Sequence, residues 1–225
     1  MGKCESCIIR EFNSLKSLTR EELIRISACK TGKHYKKGEI IFEEGESLNG
    51  VYCIRDGVCK LTKLSENGKD QVVKLVVKGD LLGKRSLVAD QKTNLSAIAL
   101  NDMEMCFIPK SEIMNDLAKN PNFTMDVLKD MANELRTSEE SLVTMAQKSV
   151  KRRMAEILMY SHDNFGLDEE GFLSIVLSRE DYASIVGTAT ESAIRILSQL
   201  KKEGLISTHG KRIKIEDYTG LKWIE

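Results

Sequence analysis

Two ionisable side chains near the C-terminus, Glu191 and Arg195, have the types and the spacing that can distinguish base pairs. Arginine can donate two hydrogen bonds to guanine O6 and N7, and a carboxylate can accept one from cytosine N4. On a helix, residues four apart lie on one face, so both groups would project together. The same spacing also suits a surface ion pair or, for Glu191, a helix cap, so the pair alone leaves its role open.

The cysteines offer a second kind of chemistry, because Cys4 and Cys7 are spaced as Cys-x-x-Cys. This spacing can place two thiolates on one metal centre, and thiolates are the ligands of iron–sulfur clusters. A reversible disulfide, zinc binding and an inert N-terminal tail are the alternatives. Cys29, Cys53 and Cys59 are interpreted as small buried hydrophobic residues on a helix or strand.

Two short helices joined by a tight turn are predicted to position Glu191 and Arg195. Ser178 and Asp181 have capping-box spacing at the start of the first helix, which Gly187 ends. Thr188 and Glu191 have the same spacing at the start of the second helix. The pattern is typical of a helix-turn-helix.

The second helix is predicted to have two distinct faces. The residues expected to pack on the first helix are Ala193, Ile196, Leu197 and Leu200. The residues expected on the opposite face are Thr190, Glu191, Ile194, Arg195 and Ser198.

Short strands separated by glycines are predicted in the first half of the chain, as in a sandwich or barrel. The expected strands are Glu39–Phe42, Val51–Ile54, Val58–Leu64, Gln71–Val77, Ser96–Leu100 and Met103–Ile108. A helix over Thr19–Ala28, with Thr19 and Glu22 spaced as a capping box, precedes them. The expected class is α+β.

A long helix is predicted after Pro121, because no glycine occurs from residue 84 to 165. Its apolar residues at heptad positions a and d are Leu128, Met131, Leu135, Leu142 and Met145, and Ser138 interrupts the series. So narrow a stripe favours a dimer seam over a helix packed on its own barrel. A second amphipathic helix, Ser149–Phe165, and a short strand, Leu173–Leu177, are expected to follow.

The charge balance limits the class of partner, since 34 basic and 34 acidic residues give a net charge of zero. This balance argues against a protein that binds nucleic acid through bulk charge, and the local basic runs at 148–153 and 190–214 matter more. No secretory signal and no apolar run near the roughly 20 residues of a membrane helix occur, so we expect a cytoplasmic protein. A Gly-rich phosphate loop, a nucleophile elbow and a paired-ligand zinc motif are all missing, so we expect no enzyme.

The segment 178–215 resembles the DNA-binding half of the cyclic-AMP receptor and fumarate–nitrate regulator (Crp–Fnr) family. The matching residues are Gly187, Glu191, Arg195, Ile196, Leu197, Leu205-Ile206-Ser207 and His209-Gly210-Lys211. Family turns also match in the first half, at Lys37-Gly38, Phe42, Gly45, Tyr52, Gly57, Gly79-Asp80, Gly83 and Ile108-Pro109. The resemblance therefore extends over nearly the whole chain and lies closer to the fumarate–nitrate branch.

This resemblance implies a cyclic-nucleotide-binding-like jelly-roll barrel with the Cys-x-x-Cys tail over residues 1–110. A dimerisation helix would occupy 111–147 and a winged helix-turn-helix 148–225. A homodimer would bind double-stranded DNA at a near-palindromic operator, with RNA polymerase as a candidate further partner. Glu191 and Arg195 would contact bases, with Thr190 as the third base-reading residue. The residues expected to touch phosphates or support the wing are Ser178, Arg179, Ser192, His209 and Lys211.

The resemblance also bears on the signal that the first domain senses. In the cyclic-AMP branch a carboxylate and a guanidinium hold the nucleotide, whereas Lys84 and Leu95 stand at those positions here, so cyclic AMP is not expected as the effector. In the fumarate–nitrate branch four cysteines hold an iron–sulfur cluster, a candidate cofactor here. Cys4, Cys7 and Cys106 match three of them.

Asn13 stands where the fourth cysteine belongs, with Glu5 and Glu11 as nearby alternative ligands. The alternative function for the chain is a ligand-binding barrel whose helical C-terminal domain binds a protein.

Overall fold

The computed structural model describes residues 3–65, 68 and 70–225. The chain forms two compact units. The second comprises Ser138–Glu225 with Asp70–Val72, and the first comprises the rest of the chain up to Thr137.

Strands dominate the first unit. They are β1 (Thr31–Tyr35), β2 (Ile40–Phe42), β3 (Gly50–Asp56), β4 (Cys59–Leu64), β5 (Asp70–Val76), β6 (Leu81–Leu82), β7 (Ser96–Ala99) and β8 (Met103–Pro109). The first three residues of β5 belong to the second unit. Helices α1 (Arg20–Cys29), α2 (Lys84–Val88) and α3 (Lys110–Lys119) accompany them, and three short 3-10 turns at Cys4–Ser6, Ile8–Phe12 and Ser14–Ser17 precede α1. The six predicted strands are all found within two residues of their expected ends.

Two four-stranded sheets are formed by the strands of the described residues, with the orders β1-β8-β3-β6 and β2-β7-β4-β5. The two sheets are not closed on each other, and this arrangement is compatible with the expected jelly roll. Strand β1 was not predicted, because its sequence TGKHY is polar and its residues are mostly exposed. The period-2 signal needs a buried face, which this edge strand lacks.

Strands β3 and β8 of the sheet β1-β8-β3-β6 carry apolar side chains on both faces of that sheet. Successive side chains of a strand point to opposite faces. Ile54 of β3 and Met105 of β8 point into a core between the two sheets. Cys53 and Cys106, their neighbours along the chain, point to the opposite face. There they pack with α1, α3 and the N-terminal turns.

The N-terminal segment is fixed by local hydrogen bonds. Thr19 caps α1, and the reciprocal bonds of the predicted capping box are present: Glu22 N–H donates to Thr19 Oγ1 at 3.3 Å, and Thr19 N–H donates to Glu22 Oε2 at 2.8 Å. Asn13 is buried and caps the third 3-10 turn, because its Oδ1 accepts from Leu15 N–H at 3.0 Å.

Helix α4 (Pro121–Gln147) is the long helix that the sequence predicted. Its first three turns pack on the core cluster that contains Cys53, Cys106 and helices α1 and α3. Phe123 and Val127 are buried there, and Met131 is partly buried. Other apolar side chains of α4 are left in solvent: Leu128, Leu135 and Leu142 are 52%, 62% and 71% exposed. Such an apolar row needs a covering surface.

The second unit is helical with a two-stranded wing. It contains α5 (Val150–Phe165), α6 (Arg179–Val186), α7 (Thr190–Lys202), β9 (Ile206–His209), β10 (Arg212–Ile215) and α8 (Tyr218–Lys222). The strand expected over Leu173–Leu177 is wrong. Only an isolated bridge, Leu167 to Leu173, forms there. The buried side chains Leu173, Ile175 and Leu177 serve the core of this unit without a partner strand, which accounts for the misleading apolar pattern.

Candidate nucleic-acid interface and cysteine cluster

The turn between α6 and α7 depends on Gly187. Its backbone is left-handed, with φ of 66°. The N–H groups of Gly187 and Thr188 donate to the carbonyls of Ser184 and Ala183, at 3.2 and 2.9 Å. Because Thr188 takes part in closing α6 in this way, the capping box predicted for Thr188 and Glu191 is wrong. The cap of α7 is Ala189, which offers no side-chain hydrogen bond.

We expect Gly187→Ala to destabilise the second unit, because a left-handed conformation costs a residue with a Cβ roughly 1–2 kcal/mol. The added Cβ would also lie 3.2 Å from Met145 Sδ. Gly204→Ala is the matched control: its φ is 76°, and nothing lies within 4 Å of its Cβ position. Thermal unfolding should show a loss in both variants and a larger one at Gly187. Equal losses would mean that the Met145 contact is without consequence.

The exposed side of α7, called here the reading face, comprises Thr190, Glu191, Ile194, Arg195 and Ser198. Glu191, Ile194, Arg195 and Ser198 are exposed and Thr190 is half-buried. On the opposite side Ala193, Leu197 and Leu200 are buried and Ile196 is half-buried. Arg195 Nη2 donates to Ser192 Oγ at 3.3 Å and not to Glu191, so the ion pair considered from the sequence is not what holds this guanidinium.

Two of the residues expected at phosphates are exposed to solvent, and two others make hydrogen bonds within the protein. His209 and Lys211 are exposed at the tip of the wing. Ser178 Oγ is occupied by the α6 capping box, in which the Asp181 N–H donates to it at 3.0 Å. Arg179 Nη2 donates to the Gly210 carbonyl at 3.1 Å and so holds the wing tip beside α6.

The basic run at 148–153 proves to be structural. Lys148 bonds Glu156 at 2.7 Å, and Lys151 bonds Glu203 at 2.8 Å. Arg153 donates to the carbonyls of Val186, Met145 and Lys148 at 2.8, 3.1 and 2.6 Å. These charges therefore hold the second unit together. The sequence alone could not separate them from the wing cations, since the partner of Lys151 lies 52 residues along the chain and those of Arg153 are backbone carbonyls.

The base of the wing is fixed by Arg212, a role that the sequence did not indicate. Its guanidinium bonds Asp168 at 2.7 Å and Glu170 at 3.1 Å, and it stacks 4.1 Å from the centre of the Phe172 ring. The Arg212 hydrogen bond holds the pKa of Asp168 below its usual value. Lys211, the preceding residue, is exposed on the wing, whose base Arg212 holds in place.

The first unit brings the cysteines predicted as ligands into one place. Cys4, Cys7 and Cys106 line a single small cavity, together with Cys53, which the sequence analysis had treated as a spare buried residue. Cys53 and Cys106 are register partners on neighbouring strands β3 and β8. The only sequence signal for the position of Cys53 beside Cys106 was the alternation of side chains along each strand, and that alternation does not show which strands pair.

Burial controls the chemistry of these thiols. It raises the pKa of Cys53 to about 12, and that of Cys106 is also raised by burial although Lys30 and Arg55 oppose the shift. Among the described residues, no three His, Cys, Asp or Glu side chains stand close enough to hold one metal ion.

Lys84 occupies the position where a nucleotide-binding relative would place a carboxylate. Its ammonium lies 3.4 Å from Glu134 and 3.9 Å from Asp130, both on α4. It thus joins α2 to the middle of the long helix.

In the described part of the chain, no helix is both long and apolar enough to cross a bilayer.

Comparison with known proteins matches both halves of the chain. Residues 32–120 match the family described as the cyclic nucleotide-binding domain, and residues 152–224 match the Crp-like helix-turn-helix domain. Two solved structures share the fold. FixK2 from Bradyrhizobium japonicum has a TM-score of 0.74 at 24% identity, over 86% of this chain and 96% of that one. A CRP/FNR-family transcriptional regulator from Thermus thermophilus has a TM-score of 0.73 at 22% identity, over 85% and 96%.

Curated relatives align over almost the full chain. The anaerobic regulatory protein of Haemophilus influenzae is 29% identical over 97% of this chain and 86% of its own length. The fumarate and nitrate reduction regulatory protein of Vibrio cholerae is 28% identical over 97% and 88%. The transcriptional activator protein anr of Pseudomonas aeruginosa is 26% identical over 95% and 88%. The chain therefore belongs to the Crp–Fnr family of DNA-binding transcription regulators, in its fumarate–nitrate branch.

Proposed function

We propose that the protein is a homodimeric regulator that reads a near-palindromic operator with Glu191 and Arg195 and senses a redox or metal signal through its cysteines. The observation that carries the DNA assignment is the reading face: Glu191 and Arg195 are exposed on a helix whose other side is buried in the second unit. A recognition helix presents such groups near its N-terminus, where it enters the major groove.

The surroundings of the reading face support this proposal. Ala189 leaves the first N–H groups of α7 without a side-chain cap, and such groups suit a DNA phosphate. The wing places Lys211 in solvent beside Gly210, whose carbonyl is held by Arg179. Base-reading and phosphate-binding groups thus lie on elements fixed by the same small core.

Binding to duplex DNA tests the proposal against the alternative that the helical domain binds a protein. Selection from a random duplex library should recover a near-palindrome with half-sites about one helical turn apart. Affinity for it should fall steeply with salt, because phosphate contacts release counterions. Failure to select any sequence, with equal and weak binding to all duplexes, would remove operator reading as the function.

We expect Lys211→Ala to weaken binding on every duplex alike and to reduce the slope of log affinity against log salt by about one. The reason is that a phosphate contact carries charge and no sequence information. Lys222→Ala is the control, since it removes an exposed lysine outside the wing and α7. Titrations at several salt concentrations measure both variants. A change in operator preference for Lys211→Ala would contradict the phosphate assignment.

A sensing role for Cys4, Cys7 and Cys106 is supported by where they lie. They belong to, or pack against, the same core cluster that buries Phe123 and Val127 of α4. A change at the sulfurs would therefore disturb the packing under the helix proposed to form the dimer. Oxygen-dependent dimerisation, measured by sedimentation with and without air, tests this role. Identical dimer dissociation constants in both conditions would exclude it.

The thiols are the type of ligand that an iron–sulfur cluster or a zinc ion takes. In the part of the chain that the structure describes, however, no three of them stand close enough to hold one ion. Cys4, Cys7 and Cys106 would hold such a centre, whose loss or oxidation would supply the signal. Three cysteines leave one ligand position open. Neither carboxylate considered from the sequence, Glu5 or Glu11, is among the residues that line the cavity.

A further inference from the structure

An apolar side chain stands among the polar groups of the reading face. Ile194 is 46% exposed, whereas Leu197 and Leu200, on the opposite side of α7, are 3% and 0% exposed. Residues three and four apart are neighbours on a helix, so Ile194 lies between Glu191, one turn earlier, and Ser198, one turn later. The isoleucine therefore occupies the middle of the surface proposed to enter the major groove.

The charge around Ile194 favours a nucleic-acid partner over an apolar protein surface. Helix α7 carries three cations, Arg195, Lys201 and Lys202, against one carboxylate, Glu191, and all four side chains are exposed. A protein that covered the isoleucine would have to bury charges beside it, which is costly unless they are paired. A duplex instead neutralises cations with its phosphates. A DNA base is thus the better partner for this side chain.

The chemistry of isoleucine selects one feature of the bases. In the major groove the bases present hydrogen-bond donors and acceptors, and thymine adds an apolar C5-methyl group. Isoleucine has no polar side-chain atom, so the methyl is the group that it can contact favourably. Its branching at Cβ leaves one dominant χ1 rotamer in a helix, so the apolar surface is already fixed before DNA binds. The contact therefore costs less side-chain entropy than one made by a long flexible side chain.

We propose that Ile194 reads the C5-methyl group of a thymine in each half-site of the operator. The proposal deepens the DNA-reading function proposed above and rests on it. It adds an apolar contact to the hydrogen bonds assigned to Glu191 and Arg195. Thr190, expected from the sequence as the third base-reading residue, also carries a methyl group but is half-buried. Since Ile194 and Arg195 are adjacent and base pairs stack about 3.4 Å apart, the thymine should lie within about two base pairs of the pair that Arg195 reads.

Replacement of thymine by uracil in the selected operator tests the contact, because uracil keeps the hydrogen-bonding groups and lacks only the methyl. Each thymine is replaced in turn, in both half-sites together, and the affinity of the full chain is measured by competition with the unmodified duplex. We expect one position to lower the affinity about fifteenfold, or about fourfold per half-site, because each half-site loses one buried methyl group. A scan without any such position would overturn the proposal.

Side-chain variants connect the methyl effect to Ile194. We expect Ile194→Ala to bind the thymine and uracil operators alike, and Ile194→Val, which keeps most of the apolar surface, to prefer thymine still. Alanine is the better helix former, so Ile194→Ala should stay folded. Leu167→Ala is the matched control and should keep the full preference: Leu167 is also 46% exposed in the second unit, but outside α7 and the two wing strands. A methyl effect that persists in Ile194→Ala, or that is lost instead in Thr190→Ser, would contradict the assignment.

A second pair of duplexes restores the methyl group without thymine. Cytosine at the same position lacks the methyl, and 5-methylcytosine carries it at the equivalent ring carbon. We expect the wild type to prefer 5-methylcytosine over cytosine by about the factor that separates thymine from uracil, and Ile194→Ala to show no preference. Equal wild-type affinity for the two duplexes would overturn the proposal without any use of a variant protein.

The outcomes separate this inference from the function on which it rests. If a sequence is selected and Arg195→Ala relaxes its recognition while the uracil scan is flat, operator reading stands and the Ile194 contact is wrong. If no sequence is selected, or Arg195→Ala leaves discrimination intact, α7 is not the recognition helix and the inference fails together with the proposed function.

Discussion

Arg195→Ala is expected to reduce operator affinity by about 1–3 kcal/mol, roughly 5- to 150-fold, and to relax preference at one base pair of each half-site. The guanidinium is exposed on α7, and its one described hydrogen bond, to Ser192 Oγ at 3.3 Å, is long and readily exchanged for base edges. Competition binding against every single-base variant of the operator measures both effects.

Arg195→Lys separates charge from shape in this experiment. Lysine keeps the positive charge but lacks the planar fork that donates two bonds to guanine. We therefore expect Arg195→Lys to retain the salt slope of the wild type while losing most of the discrimination at the same base pair. Discrimination that survives in Arg195→Ala would mean that α7 is not the recognition helix.

Local hydrogen-bond patterns could be predicted well from the sequence where a single side chain decides the outcome. The capping boxes of Thr19 with Glu22 and of Ser178 with Asp181 both form, because each needs only residues three apart. The pattern failed at Thr188, whose backbone instead closes the preceding helix after Gly187. Two motifs competed for one residue there, and spacing does not show which one prevails.

The pairing of distant strands could not be predicted from the sequence, and this pairing determines which cysteines lie together. Cys106 could be picked out through its resemblance to a family position, whereas Cys53 gave only the signal of a buried strand residue. Its role as a neighbour of Cys106 depends on the register of β3 against β8, a pairing of residues more than fifty positions apart. The same limit hid the partners of Arg153 and Arg212, which turn part of the basic C-terminal sequence into internal support.

The long helix was predicted as a dimer element from a narrow stripe, and its exposures are consistent with that prediction without testing it. Leu128, Leu135 and Leu142 are exposed in the single chain, whereas Met131 packs partly on the core of its own unit. The seam proposed here therefore uses mainly the leucines. Heptad spacing fits Met131 as well, because it does not distinguish a residue facing a partner chain from one facing the core of the same chain.

Leu135→Glu is expected to convert the dimer into monomers and thereby abolish tight operator binding. A two-fold axis pairs the same surface of both chains, so each chain loses a buried leucine worth about 1.5–3 kcal/mol and two carboxylates are brought together. Together these losses should weaken dimerisation by at least about a hundredfold.

Thr137→Glu is the matched control: it adds the same charge two residues away, at an exposed position off the stripe. Sedimentation at micromolar concentration should find monomer for Leu135→Glu and dimer for Thr137→Glu and the wild type. Circular dichroism should show that all three are folded, since Leu135 is 62% exposed and contributes little to its own chain. A wild-type monomer, or a Leu135→Glu dimer with unchanged affinity for the operator, would place the subunit contact elsewhere.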